Sequence, residues 1–333
     1  MVTVSDWANR LTKYTYDANG NLIKTERPNG SILSQTYDAA SRLTTSEDKD
    51  VSGNVIVSYS YTYDANGNIL TEDATASGTD NADMVYDALN RLTAKTDKDA
   101  SGNTLTRYAY IYDADGNITS GESAQQTATM TYDTFDRLSS YNGNSPIFDL
   151  DGNMTTCILS GNKVSFTYDS GNRLTQAGTT TYAYDGNDNR IWSTTDGQEI
   201  QYAYENVASR LSQLLVRTDP DGSQIFYVYG LGLIGQQDST GYSVYHFDFR
   251  GSTVALTNLS GIVTDRFTYG AYGELFTHTG TSHTPFLYNG RDGVLTEANG
   301  LYYMRARYCS PELKRLLKTY FLAQKSPSFC NQI

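Results

Sequence analysis

A short phrase that recurs along the chain limits its fold more than any other feature. KYTYDANGNLIK at residues 13–24 returns as SYTYDANGNILT at 60–71. Two alternating motifs grow out of it. The pattern [YF]DxxGN begins at Tyr16, Tyr63, Tyr112 and Phe148, with a looser copy at Tyr184. The pattern YDxxxRL begins at Tyr37, Tyr86, Tyr132 and Tyr168, with a variant at Tyr204. Steps from the first motif to the second are 20–23 residues, and steps back are 26 or 16. The two long steps each carry an extra phrase, EDKDVSGN at 47–54 and TDKDASGN at 96–103. Self-similarity on this scale marks stacked supersecondary units. One unit has been copied with and without an inserted turn.

Within a unit the period is two. Tyr59, Tyr61 and Tyr63 alternate with Ser60 and Thr62, and Tyr108, Tyr110 and Tyr112 alternate with Ala109 and Ile111. That spacing puts the rings on one face of a strand. The following Asn-Gly or Asp-Gly supplies the positive φ angles of a tight hairpin, as a type I′ or bulged turn. The leading Asp can accept backbone amides at the turn entrance. In YDxxxRL the Arg falls where it can pair with that Asp, a half-exposed pair worth about 0–1 kcal/mol. Stacked hairpins then form one continuous antiparallel sheet, with tyrosines laddered over tyrosines. Composition agrees. Hydrophobic residues are only 38 %, yet 28 tyrosines lift the aromatic share to 12 %, whereas disordered chains are poor in aromatics.

Few residues suggest chemistry. The acidic turns Asp113-Ala114-Asp115-Gly116 and Asp149-Leu150-Asp151-Gly152 resemble the start of a calcium loop, but strand-like sequence follows where further ligands would be needed. The three histidines, His246, His278 and His283, have no third ligand at metal spacing, and Cys157, Cys309 and Cys330 are too scattered for a disulfide framework or a CxxC site. No catalytic, cofactor-binding or metal-binding residue is therefore assigned, and no cofactor is expected. The net charge is −12, and residues 301–333 hold six Lys or Arg against one Glu, so the acidic excess lies in the first 300 residues. An acidic body argues against nucleic acid as a partner. No run of about 18 apolar residues predicts a membrane span, and MVTVSDWANR lacks the basic and apolar regions of a signal peptide.

From Tyr245 the sequence is less periodic and more aliphatic. YHFDFRGSTVALTNLSG, YGAYGE, PFLYNGRD and GLYYMRARY resemble the core segment that closes the repeat array of RHS/YD-repeat proteins, and the upstream motifs resemble the YD repeats. The resemblance covers about residues 10–315. It implies an all-β fold, a ribbon of antiparallel hairpins spiralling into a teneurin-like YD-shell, as in toxin-associated relatives that are secreted or at the cell surface. There the shell encloses a variable C-terminal polypeptide, and in several bacterial members it also cuts that polypeptide off, using aspartates just past the core motif. Here Ser310 and Tyr320 stand where those acids are expected, and Glu312 is the nearest carboxylate. A tyrosine cannot supply the second carboxyl of an aspartyl mechanism.

The expected organisation is a YD-repeat ribbon at 10–244, a core segment at 245–315 and a degenerate tail at 316–333, the whole being a partial or small shell. The tail carries one short helix over 311–322, with Ser310 as N-cap, Pro311 at its first position and a stripe of Leu313, Leu316, Leu317 and Tyr320. The chain reads as a non-enzymatic scaffold, a short member or fragment of the family with no cargo domain after residue 320. Its expected partners are an enclosed polypeptide or the open edge of another β-ribbon. The first alternative is a surface module that binds glycans through its tyrosine stripes. The second, disfavoured, is a self-cleaving shell.

Overall fold

The computed structural model describes residues 1–75, 81–123, 126–205 and 212–318. It is built almost wholly of antiparallel strands. Among the described residues there is no α-helix, only a single 3-10 turn at Gly290–Asp292. None is long and apolar enough to cross a membrane.

Most hairpins rest on the same turn; those at Asn142-Gly143, Ser160-Gly161 and Asp196-Gly197 instead have two-residue loops with two positive φ angles. In the first YD repeat, Gly20 N–H donates to the Asp17 carbonyl and Asp17 N–H to the Asn21 carbonyl. The Asp17 carboxylate then accepts from Asn19 N–H, Asn21 N–H and Asn21 Nδ2, all at 2.8–2.9 Å. These bonds, led by the Asn21 side chain, hold the Asp17 carboxyl below its usual range. Only the fourth residue, Gly20, is left-handed, with φ 86°, and the strand register slips between Thr15 and Tyr16. This is the bulged form of the hairpin, with a three-residue loop, rather than a type I′ turn with two positive φ angles.

The second motif makes the same turn with a different clip. Arg42 donates its N–H and Nε to Asp38 at 3.0 and 2.7 Å, and Arg91, Arg137 and Arg173 repeat the pair with Asp87, Asp133 and Asp169. The left-handed residue is then Ser41, Asn90, Asp136 or Asn172, mostly the types that tolerate this region best. The inserted phrases close identically, at Asp50–Asn54 and Asp99–Asn103. An unforeseen copy opens the chain, where Asp6 is clipped by Arg10 at 2.6 Å. The turn of the Tyr204 variant lies outside the described residues.

The motif tyrosine has a task of its own. Pairing between Leu22–Glu26 and Ile32–Tyr37 stops at Lys24↔Ser34, which leaves the Leu22 carbonyl beyond the ladder. The Tyr37 hydroxyl donates to it at 2.9 Å. Tyr63, Tyr132, Tyr168 and Tyr184 do the same to the carbonyls of Leu43, Ile118, Met154 and Leu174. A backbone acceptor that would otherwise go unpaired at the splayed end of each hairpin is thereby satisfied.

Two compact units contain these hairpins. The first comprises Met1–Ala109, Tyr227–Tyr269 and Leu275–Asp292. It holds a run of strands from Val2–Ser5 to Leu92–Lys98, each antiparallel to the next in sequence, and a second run from Gly232–Gln237 to Leu275–Thr279. Tyr59, Tyr61, Val57, Ile69, Ala82, Met84 and Val254 form one core cluster. The second unit comprises Tyr110–Phe226, Gly270–Glu274 and Gly293–Ile333. Its hairpins run from Ile118–Ser123 to Gln213–Thr218, with a small sheet of Leu295–Thr296, Tyr302–Tyr303, Tyr308–Ser310 and Arg315–Leu316.

That small sheet overturns the expected helix. Ser310 pairs with Arg315 and Cys309 with Leu316 across a turn at Pro311–Lys314, and Lys314 is left-handed at φ 58°. Ser310 Oγ does accept an amide, from Leu313 at 3.2 Å, but it caps a turn. Strand pairing in a packed setting outweighs helix propensity, which is a weak local preference. Leu313, Leu316 and Leu317 are buried all the same. Residues 319–322 of the expected helix lie outside the described residues.

Candidate functional site

The most chemically suggestive constellation lies inside the first unit. Arg27 and Asn29 sit on the turn ERPNGS, Asp48 on Leu43–Lys49, His246 on Tyr242–Phe247 and Thr257 on Thr253–Asn258. Arg27 Nη1 donates to Asp48 Oδ1 at 2.6 Å, and His246 Nδ1 lies 2.9 Å from Asp48 Oδ2. His246 Nε2 lies 2.8 Å from Thr257 Oγ1, which also accepts Asn29 Nδ2 at 2.8 Å. With Nδ1–H donated to the carboxylate, Nε2 accepts the threonine hydroxyl. Burial pushes the His246 pKa down and, together with Arg27, outweighs the pull of Asp48. Burial would raise the Asp48 carboxyl, but Arg27 and His246 hold it at about 2.

Acid, base and hydroxyl thus stand in the order of a nucleophile relay. They do not form an open one. His246 and Thr257 are fully buried and Asp48 almost so, and the threonine hydroxyl is engaged on both sides. The chain of bonds ties one hairpin turn, one strand of the first run and two strands of the second. Beside it lies a cavity of about 390 Å³, lined by Tyr14, Arg27, Tyr37, Tyr245, Phe247, Asp248 and Arg291 among others. Burial raises the Asp248 carboxyl, opposed by Arg250.

In the second unit the charged centre is Arg190, which is wholly buried. Its Nη1 meets Glu297 Oε1 at 2.6 Å, and its guanidinium lies 4.4, 4.6 and 5.4 Å from the ring centres of Tyr303, Tyr202 and Tyr182. Tyr308 adds its hydroxyl, 3.4 Å from Nη1 and 3.1 Å from the Tyr184 hydroxyl.

The residues weighed from the sequence fall as follows. Ser310 is buried in the small sheet. The Glu312 carboxylate accepts Ser160 N–H at 2.9–3.0 Å and its hydroxyl at 3.2 Å. Tyr320 lies outside the described residues. His278 stacks on Phe267 and bonds Asp265 at 2.9 Å, while His283 is exposed. In the two acidic turns Asp113 and Asp149 accept turn amides at 2.8–3.0 Å. Tyr59, Tyr61, Tyr108 and Tyr110 are 2–5 % exposed, so these rings face inward. Sequence reasoning missed both buried clusters. Neither carries a local signal, because the partners come from distant strands.

Residues 50–317 match the family model described as Teneurin YD-shell, and residues 16–55 match RHS Repeat. No curated protein matches the chain. Among solved structures it is similar to the Photorhabdus luminescens Tc holotoxin pore, at 19 % identity and a TM-score of 0.74 over 92 % of this chain and 18 % of that one. A crystal structure of TcdB2-TccC3 matches at 18 % identity and a TM-score of 0.75, over 95 % of this chain and 19 % of that one. TcdB2-TccC3 without its hypervariable C-terminal region matches at 18 % and 0.74, with 95 % and 19 % covered. At such identities the likeness is one of fold, and the chain spans about a fifth of the length of the chains it matches.

Proposed function

Because the chain belongs to the teneurin YD-shell family, we propose that it serves as structural wall rather than as a catalyst, a scaffold akin to the shells of Tc toxins. The observation that carries this reading is the use made of its tyrosines. Strand rings such as Tyr59, Tyr61, Tyr108 and Tyr110 are buried, and the motif hydroxyls of Tyr37, Tyr63, Tyr132, Tyr168 and Tyr184 are bonded to backbone, so residues rich in recognition chemistry are consumed in holding hairpin to hairpin. The partner of such a wall is an enclosed polypeptide, or the edge strand of another ribbon. An edge of this kind is a natural template for pairing, and Val2–Ser5 offers one in the first unit. The expected behaviour around Ser310 is persistence of the chain, since the Glu312 carboxylate is bonded to Ser160.

A glycan array read alongside thermal melting tests this against the glycan-binding alternative. Tyr61 is 5 % exposed and packs edge-on to Phe249 at 5.4 Å. Tyr61→Ala is therefore expected to destabilise the fold by about 3–5 kcal/mol, with no sugar retained by either protein. Glycan binding that Tyr61→Ala abolishes while the melting transition stays put would replace the wall with a surface binding module.

A further inference from the structure

In the second unit a small cavity of about 160 Å³ opens among the turns of Asp169–Arg173 and Asp185–Asn189 and the segment from Arg305 to Lys318. Its lining is unlike the rest of this acidic protein. Arg173, Arg305, Arg307 and Lys318 border it against one carboxylate, Asp188. That carboxylate is 71 % exposed and already engaged by Arg173 at 2.9 Å. The rings of Tyr168, Tyr184 and Tyr308 also line the cavity.

The cations are placed by the fold. Arg173 lies over the Tyr184 ring at 5.2 Å and is clipped to Asp169. Arg305 donates Nε to the Ser212 carbonyl at 3.1 Å. Its own backbone is left-handed, at φ 61°, a conformation that an arginine keeps only when its surroundings enforce it. Its guanidinium also lies over Gly293, where a Cβ would come within 2.5 Å of Nη2. Arg307, half-buried, forms no ion pair among the described residues. Like charges gathered at one concavity repel one another, and guanidinium forks match planar and tetrahedral oxyanions.

We propose that this pocket binds a single oxyanion, a carboxylate or phosphate group, held by Arg305, Arg307 and Lys318 over a tyrosine floor. The volume suits one such group. The anion comes either from a free phosphate or from an acidic side chain of a polypeptide.

The full chain is titrated with inorganic phosphate at constant ionic strength set by sodium chloride, following its unfolding midpoint and the heat of binding. A saturable rise in midpoint is expected, weakening as total salt increases. Arg307→Gln and Lys318→Gln should each weaken binding about tenfold. A glutamate-rich peptide is then added as competitor. Displacement of phosphate assigns the pocket to side-chain carboxylates, and failure to displace assigns it to phosphate. No saturable effect beyond chloride, or one that both substitutions leave intact, overturns the proposal.

Discussion

Replacing Arg190 by methionine should be among the most damaging single changes in the second unit. The side chain is wholly buried, and its partner Glu297 is only 6 % exposed at the side chain. Methionine keeps the length but leaves the Glu297 carboxylate buried among tyrosines without its counter-charge. Removing one member of a buried pair costs about 3–5 kcal/mol, and the loss of three ring contacts adds to that. Against a total stability of about 5–15 kcal/mol for a typical domain, this is a large fraction. Replacing both members removes the stranded charge, so Arg190→Met with Glu297→Leu should regain about 1–4 kcal/mol over Arg190→Met alone. The two tryptophans allow a clean readout, because Trp7 belongs to the first unit and Trp192 to the second. In a Trp7→Phe background, urea unfolding followed by Trp192 fluorescence reports the second unit. A double variant no more stable than Arg190→Met would show that the tyrosines, and not Glu297, hold the guanidinium. A loss below about 1 kcal/mol in the single variant would refute the account outright.

Acid should weaken the first unit in two stages. His246 has a folded pKa below 6.5, so the unfolded chain binds its proton first and stability falls as pH drops below 6.5; His246→Gln should erase that stage in melts recorded from pH 8 to 4. Asp48, held at about 2, contributes stability that is full above its unfolded value near 3.8 and lost between there and pH 2. Tyr63→Phe removes the hydroxyl bonded to the Leu43 carbonyl and should cost about 0.5–1.5 kcal/mol, seen as a lower urea midpoint at unchanged slope. Purified chain should keep its mass of 36.8 kDa on long incubation; a clean cut after Arg307 that Glu312→Gln abolishes would restore the self-cleaving alternative.

What the sequence disclosed was whatever is local and periodic. Tyr59-Ser60-Tyr61 announces a strand with one buried face, and Asp38 with Arg42 announces a clipped turn, because each depends on residues a few positions apart. The turn's identity across both motifs was hidden by chemistry: Asn21 and Arg42 look unrelated, yet both return a donor to the aspartate four residues before. The opening turn at Asp6 was hidden by Ser5 standing where the motif has tyrosine. Helix propensity misled at Pro311-Glu312-Leu313, where the deciding partner was a strand and not a neighbour in sequence. Asp48 with His246, and Arg190 with Glu297, could not have been read at all, since nothing in either local spacing names the other.

The turn described above separates two jobs that most loops combine. Its path is dictated by the aspartate, the left-handed residue and the closing Asn or Arg, and of the two positions between it uses a backbone amide, as at Asn19, Leu89 and Phe135. Those positions carry Trp7, Val51, Leu89, Phe135 and Leu150, which are 58–99 % exposed, with Trp7 and Phe135 lying under the clip arginines Arg10 and Arg137 of their own turns. A row of hairpin tips built this way behaves as a rack of interchangeable fittings. Their side chains can be exchanged one at a time, by evolution or by design, without altering the frame that presents them.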